Sequence, residues 1–551
     1  MTLRNRGFAI TLAAIVAAGT LAGGLFGPSL FGSQGGAQPH QRLKEYTEVL
    51  EAAAYWAPEE TPTEDLVYSS IDGMLLRLDP HSSFLAPRAY SDMQDRQKGS
   101  FYGLGILVTK RNNQVTVITP LEGTPASRLG IRAGDIIAVV EGEPTDEMPL
   151  DEVVSKLKGP RGTPVNIEIK RVGIDELIPM TIIREAIPTN SISYALMLDP
   201  EVGYIRIKDF TRTTVRELDE SIVKLTAAGM KKLVLDLRSN PGGLLDAAVG
   251  VSDHFIEKGD MVVYTKGRTR DSFQEFRAPG VHPKLDVPLV VMINRGSASA
   301  SEIIAGAVQD HDRGLVVGTT SWGKGLVQSV YALQYGAGLA LTTSKYFTPA
   351  GRNIQRDYTS VYDYYVASGI ETGPDGGIDT REVFLTETGR KVYGGGGITP
   401  DVIVEPRELP TALQILEVRN TIFNFAVEYI SKHPELKGDI QASAAIVDAF
   451  VEYADRADVM EASEVREAIT LPADREWLER ALRAEIVAAR DGFDASYPYR
   501  LQGDEQVIRA LQMFPDAERL ARNAVGAPTG TGEGNAGRGA SRASSTLPSG
   551  L

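Results

Sequence analysis

The chain has 551 residues, 42% of them hydrophobic and 23% charged, which is enough for several domains with ordinary globular cores. A formal net charge of −15 argues against a nucleic-acid partner, because phosphate backbones need a basic surface. The absence of cysteine excludes thiol catalysis, disulfides and cysteine-ligated metals.

In chain order, Arg4 and Arg6 precede an uncharged run from Gly7 to Phe26, and the first acid is Glu45. Residues 1–39 therefore read as a signal peptide or membrane anchor, with cleavage possible within Gly32–Gln38 and everything beyond it carried across the membrane. Residues 40–95 are expected to be helical: QRLKEYTEVLEAAAYW and DLVYSSIDGMLLRL carry apolar residues at three-to-four spacing until Leu78-Asp79-Pro80-His81-Ser82 breaks the pattern. Residues 96–185 change period. Gly103 to Val108 reads as a strand, Gln114–Thr119 as its hairpin partner, LDEVVSKLKG as a helix and VNIEIKRV as a further strand. A glycine-rich turn before an apolar strand can offer backbone N–H groups to a carboxylate.

Over residues 186–355 strands alternate with amphipathic helices: VGYIRIKDF, VRELDESIVKLTAAG, KLVLDLRS, VPLVVMINRG, then a serine-headed helix and GLVVGTT. That alternation predicts a largely parallel sheet with helical crossovers, and ligand sites at the carboxyl ends of its strands. Asn240-Pro241-Gly242-Gly243 and the run Ser297–Ser301 both fall there. Residues 356–397, rich in Tyr and Gly, read as an insertion, residues 407–525 as helical, and residues 526–551 as a disordered tail.

The chemistry concentrates between Arg295 and Gln328. Ser297, Ser299 and Ser301 crowd one helix N-terminus, and Lys324 stands between two glycines, 25 residues beyond Ser299. A hydroxyl at a helix N-terminus, where unpaired N–H groups can hold an oxyanion, suffices for acyl transfer if an amine takes its proton. Lysine acts as that base once burial lowers its pKa, and Trp322, Leu326 and Val327 are placed to bury it. The plainer reading is three helix-capping serines and a solvated loop lysine. Gly318 to Lys324 imitates a P-loop but continues with Gly325, which has no hydroxyl for a metal. Neither HExxH nor G-x-S-x-G occurs, and the six histidines, at 40, 81, 254, 282, 311 and 433, are scattered. No metal and no cofactor is expected.

The order of motifs resembles the carboxy-terminal processing peptidases, serine proteases with a Ser-Lys dyad and a PDZ domain. The matching residues are Leu78–Ser82, the PDZ-like segment around Ala126 to Asp135, Gly203–Ile207, Leu235–Arg238 with Asn240–Gly243, Ser297–Glu302, Gly323–Gly325 with Gln328, Tyr346–Arg352, and Gly397–Val402. The resemblance implies a multidomain α/β protein: a crotonase/ClpP-like protease core over 186–406, an inserted PDZ domain over 96–185, and helical N- and C-terminal segments. It implies Ser299 as nucleophile, Lys324 as base, Gln328 positioning the lysine, and Gly243 and Ala300 as oxyanion donors. Gly103, Leu104, Gly105 and Ile106 would capture a peptide carboxylate, and Arg171 would sense it. The expected partners are protein or peptide substrates with apolar C-termini, with a homo-oligomer or an activating adaptor left open. The expected place is the periplasmic side of a bacterial envelope, membrane-anchored or released. Two other readings stand beside this one: a PDZ-based binding module on an inert scaffold, and a crotonase-like enzyme acting on thioesters.

Overall fold

The computed structural model describes residues 38–111, 113–358, 364 and 381–525. The N-terminal uncharged run, half of the insertion and the expected tail lie outside them. No helix among the described residues is long and apolar enough to cross a membrane.

One compact unit ends at Pro87 and includes Val330–Leu341. It holds α1 (Gln38–Trp56), α2 (Thr63–Leu75) and β1 (Ser83–Leu85), which runs antiparallel to residues 338–340. The other unit, Arg88–Ser329 with Thr342 onward, carries everything that follows.

Its first part is a small β domain. β2 (Ser100–Gly103) pairs with Glu185–Pro188, and β3 (Ile106–Arg111) ends a sheet that continues through β4 (Gln114–Pro120), β5 (Ile136–Val140), β6 (Pro164–Lys170) and β7 (Ile178–Ile183). Period-two alternation buries Val165, Ile167 and Ile169 of β6 against Val115, Val117 and Ile137. The expected single strand from Gly103 to Val108 is instead two. Gly105 has φ 78°, a value that breaks an extended chain, and a Cβ there would lie 2.3 Å from Thr124. Leu104 turns into the core, and its carbonyl accepts the Ala126 N–H at 3.0 Å.

The second part is a six-stranded sheet. β8 (Ile192–Met197) runs antiparallel to β9 (Val202–Ile207). β9, β10 (Lys232–Asp236), β11 (Leu289–Ile293), β12 (Leu315–Gly318) and Val402–Ile403 are parallel. α3 (Thr214–Ala227), α4 (Leu245–Ser252) and α5 (Ala300–Asp310) fall between these strands in the chain. The strands are near-continuous apolar runs because both faces are covered. Ile205, Leu233, Leu235, Val291 and Val316 pack with the three helices. Tyr204, Val234, Val290, Met292 and Val317 pack on Tyr497, Leu501, Val507, Met513 and Phe514 from the C-terminal segment. The rest of that segment has its own helical core, around Phe425, Phe450, Leu478 and Leu482.

A buried polar network ties the C-terminal helices to the end of β10. Tyr204 Oη donates to Asp236 Oδ2 at 2.6 Å and lies 2.9 Å from Tyr497 Oη, while Arg238 bonds Asp236 at 2.7 Å and Asp504 at 2.7 Å. Burial alone would raise the Asp236 pKa, but Arg238, and Arg206 behind it, hold the carboxyl below its ordinary range. A depressed acid contributes stability above its unfolded pKa, here above about pH 4, and that contribution fades as pH falls through the lower native value. Removing Arg238 strands a fully buried carboxylate, so Arg238→Ala should lower unfolding free energy by about 3–5 kcal/mol in urea titrations.

Candidate active site

Two turns meet at the carboxyl ends of β10 and β11. After β10 the chain turns through Asn240–Gly243. Asn240 is buried, its side-chain amide donates to Ile207 O at 2.9 Å, and its Oδ1 accepts the Gly242 N–H at 2.8 Å. Gly242 has φ 98°, and a Cβ on it would lie 2.8 Å from Ser299 Cβ and 3.0 Å from the Ala300 nitrogen, so only glycine lets this turn abut the serine. Gly243 is equally confined: a Cβ there would lie 2.1 Å from Phe210 O. Among the described residues neither the Gly243 N–H nor the Ala300 N–H donates to a backbone carbonyl.

After β11 come the three serines, and the structure separates their roles. Ser297 Oγ donates to Leu237 O at 2.8 Å and Ser301 Oγ to Asn240 O at 3.0 Å, both in buried positions that lock the two turns together. Ser299 is half-buried, caps α5, and has φ 55° and ψ −113°. A serine in this region is strained by roughly 1–3 kcal/mol and persists only where its surroundings fix it.

Glu302 does much of the fixing. It is fully buried, one turn into α5. Its Oε2 accepts the Ser299 N–H at 2.7 Å and the Lys324 N–H at 3.0 Å, and its Oε1 accepts Ser321 Oγ at 2.5 Å and the Gly323 N–H at 2.7 Å. One carboxylate thus joins the serine turn to the Ser321–Lys324 segment. Burial pushes Glu302 up from its ordinary pKa, while these donors pull against it. Tyr346 closes the same junction from below: its buried hydroxyl bonds Lys324 O, and bonds Ser299 O at 3.1 Å. Burial first, and Glu302 second, push the Tyr346 pKa well above 10, so it remains a phenol donor.

Lys324 Nζ donates to Gln328 Oε1 at 3.0 Å, Gln328 being the third residue of β13 (Leu326–Ala332). Leu326 is buried, and Trp322 and Val327 are half-buried. Trp322 N–H reaches back to Ser297 O at 2.9 Å. The strand after Lys324, where a P-loop would continue as a helix, leaves the phosphate-site imitation without its geometry.

The remaining sequence candidates fall elsewhere. Gly103, Leu104, Gly105 and Ile106 form the corner leading into β3, at the end of the small-domain sheet. Arg171 holds Asp135 with two bonds of 2.7 Å and Gly130 O at 2.8 Å, within the same domain. His311 lies at the opposite end of α5 from Ser299, between Glu387 Oε1 and Met261 O at 2.6 Å each. Burial alone would lower its pKa, but those two partners raise it. A cavity of about 560 Å³ lined by Lys110, Arg111, Arg419, Asn420, Thr421 and Tyr453 contains none of these residues.

Comparison with known proteins gives matches to two family profiles, "Peptidase family S41" over residues 201–364 and "PDZ domain" over residues 116–171. A carboxy-terminal-processing protease of Bartonella bacilliformis is 42% identical over 296 residues, covering 53% of this chain and 68% of the relative. A carboxyl-terminal-processing protease of Synechocystis sp. is 36% identical over 297 residues, covering 52% and 68%. Among solved structures, a photosystem II D1 C-terminal processing protease aligns at 28% identity over 67% of this chain and 89% of that one, with a TM-score of 0.35.

Proposed function

The chain belongs to the carboxy-terminal-processing proteases of peptidase family S41 and is a serine-type peptidase with a PDZ domain, and from that premise we propose that it cleaves proteins near their C-termini through a Ser299–Lys324 dyad. The observation that carries this reading is the Glu302 carboxylate, which takes the backbone N–H of both Ser299 and Lys324 on one oxygen. In the proposed reaction neutral Lys324 takes the Ser299 Oγ proton as the oxygen attacks the scissile carbonyl. The N–H groups of Gly243 and Ala300 hold the oxyanion. Collapse expels the amine, to which Lys324 returns the proton, and water then hydrolyses the acyl-enzyme by the same steps. Gln328 holds the amine of Lys324 in register.

Substrate choice falls to the small domain. β3 ends its sheet, so an apolar tail can add alongside Ile106–Val108, with its terminal carboxylate at the Gly103–Gly105 corner. Arg171 would relay occupancy by loosening its hold on Asp135. Placement on the periplasmic side of a bacterial envelope, anchored or released, rests on the arginine-flanked run Gly7–Phe26.

The test is digestion of an unstructured protein such as casein, carried by fusion to an apolar tail, with products mapped by mass spectrometry. Cuts clustered toward the tail are expected. Blocking the terminal carboxylate as an amide should raise KM about tenfold, and losing the relay through Arg171 should lower kcat with it. Equal KM for both substrates would refute tail recognition, and tail binding without cleavage would make the protein a binding module.

The base also fixes the pH dependence. A lysine accepts a proton only when neutral, so cleavage should rise with pH, with the limb between about pH 6 and 9. His81→Ala and His311→Ala should retain that limb. Its loss in either variant, with Lys324→Ala still active, would overturn the dyad.

A further inference from the structure

The histidines that look scattered in the sequence are not all scattered in the fold. Asp219 lies on α3, His254 just beyond the end of α4, and His282 in the segment leading toward β11. His254 Nε2 is 2.8 Å from Asp219 Oδ1, His282 Nδ1 is 3.2 Å from the same oxygen, and all three ligand atoms lie within 4.8 Å of one another. The two imidazoles stack with centroids 4.4 Å apart and planes 20° from parallel. His254 is 2% exposed, whereas the Asp219 side chain is 41% exposed, so the group opens to solvent on the carboxylate side.

The hydrogen bonds behind the rings determine what can sit between them. His254 Nδ1 is 3.0 Å from Gly250 O. A carbonyl only accepts, so Nδ1 carries the hydrogen, and a neutral His254 presents the Nε2 lone pair to a carboxylate oxygen. Two lone pairs at that distance repel unless positive charge lies between them. His282 aims a second nitrogen at the same oxygen, and its loop is clamped: buried Asp253 accepts N–H bonds from Gly280 at 2.6 Å, Val281 at 2.9 Å and His282 at 3.0 Å. A single metal cation satisfies both nitrogens and the carboxylate together. A histidine whose other nitrogen donates to a backbone carbonyl is also the usual outer-shell arrangement of a metal-bound imidazole.

We propose that Asp219, His254 and His282 form a binding site for a divalent transition metal of the zinc class, with water completing the coordination. Two imidazoles and a carboxylate suit Zn²⁺, Co²⁺ or Ni²⁺ over Mg²⁺ or Ca²⁺. At metal–ligand distances of about 2.0–2.2 Å, tetrahedral ligands stand about 3.3 Å apart. The 2.8 Å and 3.2 Å separations from Asp219 Oδ1 lie within about 0.5 Å of that value, and the exposed Asp219 side chain has room to withdraw. The ion would tie α3, the end of α4 and the 280–282 segment into one node. α4 runs back from this node to the Gly242–Gly243 turn, eight residues or about 12 Å of helix away. The proposal does not depend on the dyad.

The test uses the untagged full chain, stripped with a chelator and then titrated with Zn²⁺ by calorimetry and with Co²⁺ by visible absorption. One ion per chain at micromolar affinity or tighter is expected, with intense low-symmetry Co²⁺ bands and a Tm several degrees higher with Zn²⁺. Asp219→Asn and His282→Ala, at positions exposed enough to keep the fold, should each weaken binding at least tenfold, while His433→Ala should leave it unchanged. Absence of saturable binding below millimolar metal would refute the site. So would unchanged binding in the Asp219→Asn/His282→Ala double variant.

Discussion

Ser299→Ala should reduce the cleavage rate by at least about 10⁴-fold, and Lys324→Ala by a similar factor, because members of a nucleophile–base unit fail together. The double variant should be no slower than either single one, which separates a working pair from two independent contributors. Thermal unfolding supplies the control. Ser299→Ala removes one hydroxyl from a half-buried residue and leaves the Glu302 and Tyr346 bonds to its backbone in place, so Tm should hold within about a degree or two. Ser299→Gly should be equally inactive yet more stable, by up to about 1 kcal/mol, because glycine accepts φ 55° without strain. Full activity in Ser299→Ala would end the assignment. Wild-type-like stability in Ser299→Gly would show that the backbone strain is negligible.

The second large effect belongs to a residue that makes no proposed contact with substrate. Glu302→Gln should lower kcat by about 10²–10³-fold, the range seen when a preorganised site loses its geometry. Each carboxylate oxygen of Glu302 faces at least two donors, Ser299 and Lys324 with Tyr346 Oη at 3.5 Å on one side, Ser321 and Gly323 on the other. A glutamine has one acceptor oxygen, and whichever way the amide is turned its NH₂ confronts two hydrogen-bond donors. Stability should fall by several kcal/mol, since buried donors left unsatisfied cost about 1–3 kcal/mol each. A positioning role predicts that kcat falls while KM changes little and the basic pH limb shifts. A purely structural role predicts lower stability with the kcat of the surviving folded fraction intact.

Some of this was readable in the sequence, and the reasons differ by element. The alternation of VGYIRI, KLVLD, LVVMI and LVVG with amphipathic helices reports a parallel sheet because each signal is local, a few residues long and repeated. Ser299 and Lys324 stand out as a hydroxyl at a helix N-terminus and an amine between two glycines, whereas Gln328 is singled out only by the resemblance to the carboxy-terminal processing peptidases. Glu302 is legible as an acid in the first turn of a helix and the end of a matching motif, but its role is not, since three of its partners come from residues 321–324, which no helical period connects to it. The break at Gly105 was missed because GLGILV is equally apolar whether it forms one strand or a corner and a strand. Asp219, His254 and His282 lie in three separate elements, and only the sheet topology brings them together. The helical period of residues 407–525 was plain, but what those helices cover was not: an amphipathic face records that it needs an apolar partner, not which one.

The burial of the second face of the core sheet by residues from Tyr497 to Ala517 has a consequence for biosynthesis. Val234, Val290, Met292 and Val317 stay wet until those helices have been made, and Tyr204 lacks Tyr497, and Arg238, next to the Asn240–Gly243 turn, lacks Asp504, until then. A nascent chain can therefore complete its serine and lysine long before it completes the sheet that aligns them. Maturation is therefore expected to wait on the helices between Tyr497 and Ala517.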